Sequence, residues 1–273
     1  MVGFENERVI SDRDRPVLRL SQGHLNLLET CPRKFQHLYL EGLGSPNDPW
    51  QQEAGEWGKA FHLLMQQQEL GLPIEGLLQG EKPLAGAIAA LMQAAPYLFD
   101  RRPYLLREAE HGRSLFLQDY WLTVIYDLLL LEGDRAQIID WKTYPQPRNS
   151  QAIAQNWQTR LYLYVLAETS DYAPEQLSMT YWFVRLPHQP EHLTLTYSLS
   201  QHQTNHQDLS KLLTQLTQHL ERYQQDNRLF PQLPPSQQLQ CDRCGFAALC
   251  QRPTAPLPHW LVTLDQVAEV RLN

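Results

Sequence analysis

The sequence predicts one domain of mixed α/β architecture, in which helices flank a central sheet. The first observation is the order of hydrophobic periods along the chain: helical stretches, a block of strand-like stretches, a helix, more strands and a final helix. The second is that 273 residues with 42% hydrophobic side chains can bury a full core without disulfides. Neither a repeat nor a linker divides the chain, so all of it is assigned to one domain.

The predicted elements follow in four parts. Residues 1–20 form a lead-in that is not expected to be anchored to the core, and residues 21–103 are mainly helical, with Ser21 as the N-cap of the first helix. Residues 104–226 form the core, and residues 227–273 hold a cysteine loop and a tail. Periodicity places helices at 22–30, 51–70, 83–98, 151–168 and 203–226. Stretches rich in Leu, Ile, Val, Tyr and Trp place strands at 104–109, 113–118, 120–131, 136–143, 177–186 and 193–199.

Charge and hydropathy limit the possible partners. The net charge of −7 argues against a broad basic surface for nucleic acid, although it leaves room for a local basic groove. Because Asp127 interrupts the most apolar run, no stretch reaches the ~18 residues of a membrane span. Residues 1–15 carry charges of both signs, which is unlike a signal peptide. We therefore expect a cytoplasmic protein with no membrane partner.

The four cysteines suggest a shared metal site. Cys241, Cys244 and Cys250 cluster near the end of the chain, and Cys31 is the one cysteine left to complete a four-coordinate site. Four unrelated thiols are the simpler alternative, because a free cysteine is often a small buried hydrophobe. The spacing does not separate zinc from an iron–sulfur cluster. Either one would join the two ends of the domain.

One predicted hairpin brings two aspartates together. Gly133-Asp134 is a two-residue turn signal of the kind that favours type II′ geometry. If this turn forms, the numbers of paired residues add up to 267, which places Asp127 opposite Asp140 on one face of the sheet. Both lie within apolar runs, where two unpaired carboxylates would cost several kcal/mol.

A divalent cation is the simplest way to neutralise this pair. Carboxylate oxygens favour Mg²⁺ or Mn²⁺, and strand alternation puts Lys142 on the same face as Asp140. Such a set suits metal-assisted hydrolysis of a phosphodiester, in which the lysine orients water or stabilises developing charge. The alternative makes Lys142 a salt-bridge partner of one aspartate, while solvent reaches the other.

Several motifs in this order resemble the PD-(D/E)XK nuclease superfamily. They are Asp127, the run Asp140-Trp141-Lys142-Thr143, and Gln158 with Tyr162 on the following helix. The segment SQGHLNLLETCPRKF at residues 21–35, the Gly58-x-x-x-His62 element and the cysteine arrangement are similar to the RecB-type nuclease domains. That branch includes AddB and the nucleases of CRISPR adaptation. The resemblance covers about residues 21–250.

The resemblance implies a restriction-endonuclease-like core sheet and cleavage of DNA, often at single-stranded ends. It implies that His62 is a metal ligand with Asp127 and Asp140, and that Gln158 and Tyr162 contact the DNA backbone. It also implies a [4Fe-4S] cluster on the four cysteines in preference to zinc. One of Glu108 and Glu110 could approach the metal through water, and the sequence does not choose between them.

The sequence also departs from the family pattern. Val124 stands where the family usually has glycine, and Trp141 stands where tyrosine is commoner.

The favoured function is therefore a Mg²⁺- or Mn²⁺-dependent deoxyribonuclease of DNA repair, recombination or processing. Asp127, Asp140 and Lys142 would be its catalytic residues, and a helicase is a possible partner. The rival is a module of the same fold that binds DNA or a helicase without cutting, stabilised by an iron–sulfur or zinc site. A zinc-stabilised scaffold without a nucleic-acid role is a third reading.

Overall fold

The structure is a computed structural model that describes residues 17–44, 49–78, 81–100, 103–144, 149–185, 189–242 and 244–252. It contains a six-stranded mixed sheet flanked by helices, which confirms the predicted fold class. Most of the lead-in, residues 1–16, and the tail, residues 253–273, lie outside the described residues. Two compact units are distinguished: the described residues of Met1–Asn26 with Pro49–Gln215, and those of Leu27–Asp48 with Leu216–Asn273. The division into parts made from the sequence stays a prediction.

The strands and helices alternate in blocks along the chain. The strands are β1 (Arg19–Leu20), β2 (Leu106–Leu117), β3 (Tyr120–Leu131), β4 (Ala136–Lys142), β5 (Leu177–Phe183) and β6 (Glu191–Thr196). The helices are α1 (Gln22–Thr30), α2 (Pro32–Phe35), α3 (Pro49–Glu69), α4 (Glu75–Leu78), α5 (Lys82–Ala94), α6 (Ser150–Gln155), α7 (Trp157–Glu168) and α8 (Leu199–Asp226). A π-helical turn over Gln36–Leu40 follows α2, and short 3₁₀ turns cover Pro96–Leu98, Pro174–Gln176 and Pro235–Cys241. Among the described helices, none combines the length and the apolar character that crossing a membrane requires.

The sheet is organised around β3. This strand pairs antiparallel with β2 along its whole length, antiparallel with β4 near its end, and parallel with β1 near its start. The sheet continues from β4 to β5 in parallel and from β5 to β6 antiparallel. The lead-in was expected to be unanchored, but β1 adds a two-residue strand to the sheet beside Trp121 and Leu122.

A buried cluster fixes α3 and α5 to the sheet. It contains residues of both helices and of β3, β4 and β5, among them Phe61, Leu64, Leu91, Leu128, Ile139 and Trp141. The ring of Phe61 meets that of Trp141 edge-on at 6.4 Å. Since burial of a large apolar side chain contributes about 1.5–3 kcal/mol, this cluster holds α3 firmly against the end of β4.

The predicted hairpin has the expected register. Leu128 pairs with Ile139 and Leu131 with Ala136, and the Glu132 N–H donates to the Arg135 carbonyl at 2.9 Å. The type II′ expectation was wrong, because Gly133 does not adopt a positive φ. Contacts from outside hold the turn instead: the Tyr172 hydroxyl donates to the Glu132 carbonyl, and Gln176 Nε2 donates to the Asp134 carbonyl at 2.8 Å.

Two boundaries differ from the sequence pattern, each for a local reason. The strands expected at 104–109 and 113–118 form one continuous strand, β2, which passes through Glu110 with a φ of 52°. The helix expected at 151–168 is two helices, because Asn156 adopts an extended conformation and its side chain caps α7 by accepting from the Gln158 N–H at 2.9 Å. This cap fixes where α7 begins and therefore where Gln158 lies.

In the second unit, the segment after Cys31 contacts the segment that precedes the other cysteines. The Arg33 N–H donates to the Pro231 carbonyl at 3.1 Å, and the Phe230 N–H donates to Gln36 Oε1 at 2.7 Å. The rings of Phe35 and Phe230 stack at 6.3 Å. Backbone and ring contacts of this kind bring together segments about 200 positions apart in sequence.

Candidate active site

The site begins where β3 and β4 separate. Their ladder ends at Leu128 and Ile139, one position short of the predicted aspartate pair. The side chain of Asp127 takes the place of the next backbone contact, since its Oδ2 accepts a 2.7 Å hydrogen bond from the Trp141 N–H. The register that brings Asp127 beside Asp140 is confirmed. However, Asp127 is held by the neighbouring backbone amide of β4, which removes part of the cost of burying its charge.

α3 carries His62 to this point. His62 Nδ1 lies 3.4 Å from Asp127 Oδ1, and the imidazole side chain stays 32% exposed. One helical turn earlier, Gly58 faces Thr143 just after β4, where an added Cβ would lie 2.9 Å from Thr143 Oγ1. A glycine at this position therefore lets α3 approach the end of β4 closely enough for His62 to reach Asp127. This contact gives a physical reason for the Gly-x-x-x-His spacing.

Glu110 joins these two residues from β2. It lies across from Asp127 in the register of the β2–β3 pair, although this position is not bridged. One ligand atom from each of His62, Glu110 and Asp127 lies within 4.8 Å of the other two. Among the described residues, this is the group of three possible metal ligands that lie so close together. Of the two glutamates left open by the sequence, the structure brings Glu110 to the site. Glu108 instead contacts His111, at 2.8 Å.

A second set of polar contacts links Asp140, Lys142 and Gln158. Gln158 Nε2 donates to Asp140 Oδ1 at 2.7 Å, and Lys142 Nζ donates to Gln158 Oε1 at 2.7 Å. Lys142 Nζ also lies 2.6 Å from Asp140 Oδ2, outside the angles of a hydrogen bond. The carboxylate is 3% exposed and the lysine side chain 13%. Gln158 therefore fixes both charged groups in a nearly dry environment.

Tyr162 lies behind this network. Its side chain is 5% exposed, and its ring meets the Tyr126 ring edge-on at 5.3 Å. Burial and the charges of Asp140 and Asp127 raise the pKa of Tyr162 well above its ordinary range, while a hydrogen bond with Gln158 acts the other way. This burial favours an internal role for Tyr162 over the direct contact with the DNA backbone that the resemblance implies. Gln158 is half-buried and committed to Asp140 and Lys142.

The electrostatics of the site reflect crowded carboxylates. Burial and the charge of Asp127 raise the pKa of Asp140 to about 7, although Lys142 opposes the shift. Burial and Asp127 also raise the pKa of Glu110. Burial lowers the pKa of His62, but Asp127, Asp140 and Glu110 together outweigh it and leave the pKa raised. The charge of Asp127 contributes to all three shifts, and three carboxyl groups share this site with one lysine, Lys142.

This donor set fits a hard divalent cation. Two carboxylates and one imidazole nitrogen are ligands that Mg²⁺, and still better Mn²⁺, accepts in proteins. Asp140 is outside this group, but its charge acts on His62; its Oδ2 is buried, receives no hydrogen bond from the described residues and lies 2.6 Å from Lys142 Nζ. A cation here would offset the excess negative charge, so the chemistry of the residues and the electrostatics agree.

Comparison with known proteins agrees with this geometry. A sequence model of the PD-(D/E)XK nuclease superfamily matches residues 19–251. The chain belongs to the PD-(D/E)XK nuclease superfamily. This membership supports a nuclease with DNA as its substrate, and PD-(D/E)XK nucleases commonly use divalent metals. No curated protein sequence matches the chain significantly.

One solved structure shows the same fold at low sequence identity. A protein from Eubacterium rectale, described as a candidate exonuclease, aligns with a TM-score of 0.52 and 10% identity, covering 97% of this chain and 99% of that one. The protein SSO0001 aligns with a TM-score of 0.39 and 14% identity, covering 86% and 87% of the two chains. At 10% identity, the first similarity shows the fold alone. With a TM-score of 0.39, the second does not establish a shared fold.

Both departures from the PD-(D/E)XK pattern fall on buried positions. Val124 is 2% exposed, and Trp141 is 3% exposed within the cluster that holds α3 and α5. Neither side chain therefore lies on a surface that a substrate could reach. The residue that sequence reasoning left undecided, Glu110, has a signal only in hindsight: it is the residue of β2 that shares the register position of Asp127.

The four cysteines all belong to the second unit and are half-buried. Burial raises the pKa of Cys250, and the charges of Cys31, Cys244 and Cys241 act in the same direction, whereas Arg33 opposes them. This mutual influence means that the four sulfur atoms share one neighbourhood. His37 Nε2 lies 3.9 Å from Cys250 Sγ at its edge.

Proposed function

We propose that this PD-(D/E)XK protein is a metal-dependent nuclease that hydrolyses phosphodiester bonds of DNA. The proposal rests on two groups of side chains that lie next to each other at the end of β4. The cation-binding group of His62, Glu110 and Asp127 lies beside the network of Asp140, Lys142 and Gln158. Ligands for a cation and a buried ammonium side by side are the parts that phosphodiester hydrolysis needs.

The first set would hold Mg²⁺ or Mn²⁺, and Asp140 is proposed as a further ligand, as the resemblance implies. When bound, the cation supplies Lewis-acid polarisation of a phosphoryl oxygen and charge stabilisation. Glu110 and Asp127 supply the negative charge for binding, and His62 must be neutral to donate its nitrogen lone pair. Asp127 is oriented by the Trp141 N–H, which leaves Oδ1 on the side of His62.

Lys142 acts on the substrate side of this set. Its ammonium is fixed by Gln158 and Asp140, so its position is set before a substrate arrives. A preorganised cation in a site with little water stabilises the negative charge that develops on a phosphoryl group and can orient the attacking water. Asp140 keeps Lys142 in place, and Gln158 acts as the positioning residue between them.

The proposal is tested with purified protein and labelled single- and double-stranded DNA in Mn²⁺ or Mg²⁺. The wild-type chain is expected to cut with a cation and to be inactive in EDTA. Asp127→Asn and Lys142→Met are each expected to lose about 10²–10³-fold in rate, because each removes a charge acting on the transition state. Asp134→Asn, in the exposed turn of the same hairpin, and Lys59→Met, exposed on α3, are the matched controls and should retain full activity.

Full activity of Lys142→Met or Asp127→Asn would overturn the proposal. DNA binding without cleavage in any divalent cation would instead support the rival, a non-cleaving module of the same fold that recognises DNA or a helicase. Lys142 is paired with the carboxylate of Asp140, and this pair lies beside the cation-binding group. This combination favours a nuclease over a module that only binds.

The four cysteines are proposed to hold a [4Fe-4S] cluster, as in RecB-type nucleases. The four cysteines are half-buried in one unit, and the charges of the other three act on Cys250, which supports a shared site. The preference for a cluster over zinc follows the resemblance to RecB-type nucleases. Such a cluster would fasten the Cys31 segment to the loop of the other three cysteines.

Anaerobic purification distinguishes these cofactors. A brown protein with a broad visible absorption band and about four iron atoms per chain is expected, and Cys31→Ser should abolish the band. A colourless protein with one zinc per chain would rule out the cluster and leave the nuclease proposal standing.

The role of the nuclease is proposed to be processing of single-stranded DNA or DNA ends in repair or recombination, with a helicase as possible partner. The Eubacterium rectale structure, described as a candidate exonuclease, supports action at ends. An end-labelled linear single strand and a covalently closed circular single strand distinguish exonuclease from endonuclease action. Cleavage of the linear form alone is expected, and equal cleavage of the circle would show endonuclease action.

A further inference from the structure

A row of exposed side chains crosses three neighbouring strands of the sheet. Trp121 in the centre pairs with Arg19 of β1 on one side and Phe116 of β2 on the other. Directly paired residues share a face of a sheet, so the guanidinium and the two rings project on the same side. Phe116 is 51% exposed and Trp121 39% exposed, and their ring centroids are 5.3 Å apart.

The exposed face continues from this row to the cation-binding group. Between them lies the exposed pair of Ile125 and Gly112, and a Cβ added to Gly112 would meet no atom within 4 Å. The next pair in the register is Asp127 with Glu110, which both belong to the cation-binding group. Six residues at ~3.3 Å each place the aromatic row about 20 Å from that group. Within the part of the chain that the structure describes, exposed positions of β2 and β3, here called the track, therefore lie between the two.

The chemistry of the track matches an unpaired nucleic-acid strand. Base faces stack on aromatic rings without regard to sequence, and a guanidinium binds phosphate or stacks on a base. A duplex hides its base faces and would gain little from the rings. The protein carries a net charge of −7, which argues against binding through a broad basic surface, whereas stacking beside one arginine is compatible with that charge.

We propose that Arg19, Trp121 and Phe116 form a platform on which bases of a single strand stack while the strand enters the site. This inference rests on the proposed nuclease function and deepens it, because it names the residues that would bind a single strand before it reaches the site. At a rise of 3.4 Å per stacked nucleotide, the 20 Å track accommodates about six nucleotides, and fewer when the strand is extended. Oligonucleotides shorter than this span lose contact with the platform.

Binding without cleavage tests the platform. Fluorescence anisotropy of a labelled single-stranded 12-mer is measured with the full chain in EDTA. Trp121→Ala and Phe116→Ala are each expected to weaken binding at least about fivefold, and Trp121→Phe should restore most of the loss. Arg19→Gln should reduce the slope of log affinity against log salt by about 0.7. Leu199→Ala, equally exposed, and Arg135→Gln, in the β3–β4 turn, are the controls and should bind like wild type.

Abasic substitutions locate the contact. A single abasic position within about six nucleotides of the cut should weaken binding to wild type but have no further effect on Trp121→Ala. Unchanged binding by Trp121→Ala and Phe116→Ala, or an equal loss for duplex and single strand, would overturn the platform. The platform would also be overturned if the wild-type chain self-associates and a folded Trp121→Ala or Phe116→Ala variant does not. The row would then be an interface between two copies of the chain. Thermal melting confirms that the variants fold.

The two proposals fail separately. If the wild-type chain cuts no DNA with any cation but binds single strands through Trp121, the nuclease proposal fails and the binding surface stands. If it cuts and the variants at this row bind and cut like wild type, only the platform fails.

Discussion

Asp127 Oδ2 accepts a 2.7 Å hydrogen bond from the backbone N–H of Trp141, at the point where the β3–β4 ladder stops. One carboxylate thus replaces a strand contact with one oxygen and offers the other to the cation-binding group. The structural and the chemical tasks of Asp127 are consequently assigned to different atoms, and substitutions can separate them.

Asp127→Asn is expected to preserve the fold and abolish cation binding. An amide oxygen can still accept from Trp141 but lacks the charge that a cation requires, whereas Asp127→Ala loses both. Melting temperature with and without Mn²⁺ measures this. Asp127→Asn should have the melting temperature of the metal-free wild type, unchanged by Mn²⁺. Asp127→Ala should have a lower melting temperature, because a buried N–H without a partner costs about 1–3 kcal/mol. A Mn²⁺-dependent rise for Asn equal to that of wild type would contradict the assignment.

The approach of α3 to β4 depends on Gly58. Gly58→Ala places a Cβ 2.9 Å from Thr143 Oγ1, so Thr143 or α3 must move, and we expect a shift of α3 that draws His62 away from Asp127. We expect weaker Mn²⁺ binding by about tenfold, partly restored by Thr143→Ala, which removes that oxygen. A double-mutant cycle on Mn²⁺ affinity should show coupling above about 0.5 kcal/mol, and additive effects would argue against the contact. Gly55→Ala is the matched control, since nothing lies within 4 Å of its Cβ position.

Gln158 is expected to act on the rate more than on substrate binding. Gln158→Leu removes a hydrogen bond from both Asp140 and Lys142, which frees the ammonium to adopt other positions. We expect kcat to fall about 10- to 100-fold with KM changed less than threefold, because the loss is one of preorganisation. Steady-state kinetics measure both values. Gln155→Leu, exposed on α6, is the control. A rise in KM at constant kcat would instead indicate direct substrate contact by Gln158.

Cation affinity should fall as pH falls. The pKa of His62 is raised above its usual 6.5, and protonated imidazole cannot bind a metal, so protons compete with Mn²⁺. Below this raised pKa, affinity should drop up to about tenfold per pH unit. Without metal the sign reverses, since protonated His62 beside Asp127 stabilises the fold at low pH and this stability is lost as pH rises through the raised pKa. Calorimetric titration of wild type and His62→Gln at several pH values measures the effect, which should be smaller in the variant, where only the carboxyl groups still exchange cation for protons.

The fold class and the main chemistry could be predicted from sequence, because they depend on patterns that are local. Alternation and turn signals set the register that places Asp127 near Asp140, and this register is confirmed. The catalytic and ligand assignments themselves stay predictions. Glu110 could not be chosen over Glu108, because the choice depends on which residue of β2 faces Asp127, and pairing across strands sets this.

Other differences arose from contacts that no local pattern encodes. The turn at Gly133 takes its shape from Tyr172 and Gln176, which lie about forty residues away. The break at Asn156 depends on a side-chain cap that competes with a continuous helix. The burial of Tyr162 reflects packing against Tyr126, whereas the sequence shows only its place on one helix face with Gln158.

The left-handed backbone of Glu110 has a consequence for both stability and activity. A φ of 52° is costly for most side chains and free for glycine. Replacement of Glu110 by glycine would therefore relax the strand while deleting a carboxylate of the proposed cation site, so stability and activity are expected to change in opposite directions. A glycine variant of this chain that melts higher and cuts more slowly would show that the strain is kept for the sake of the side chain.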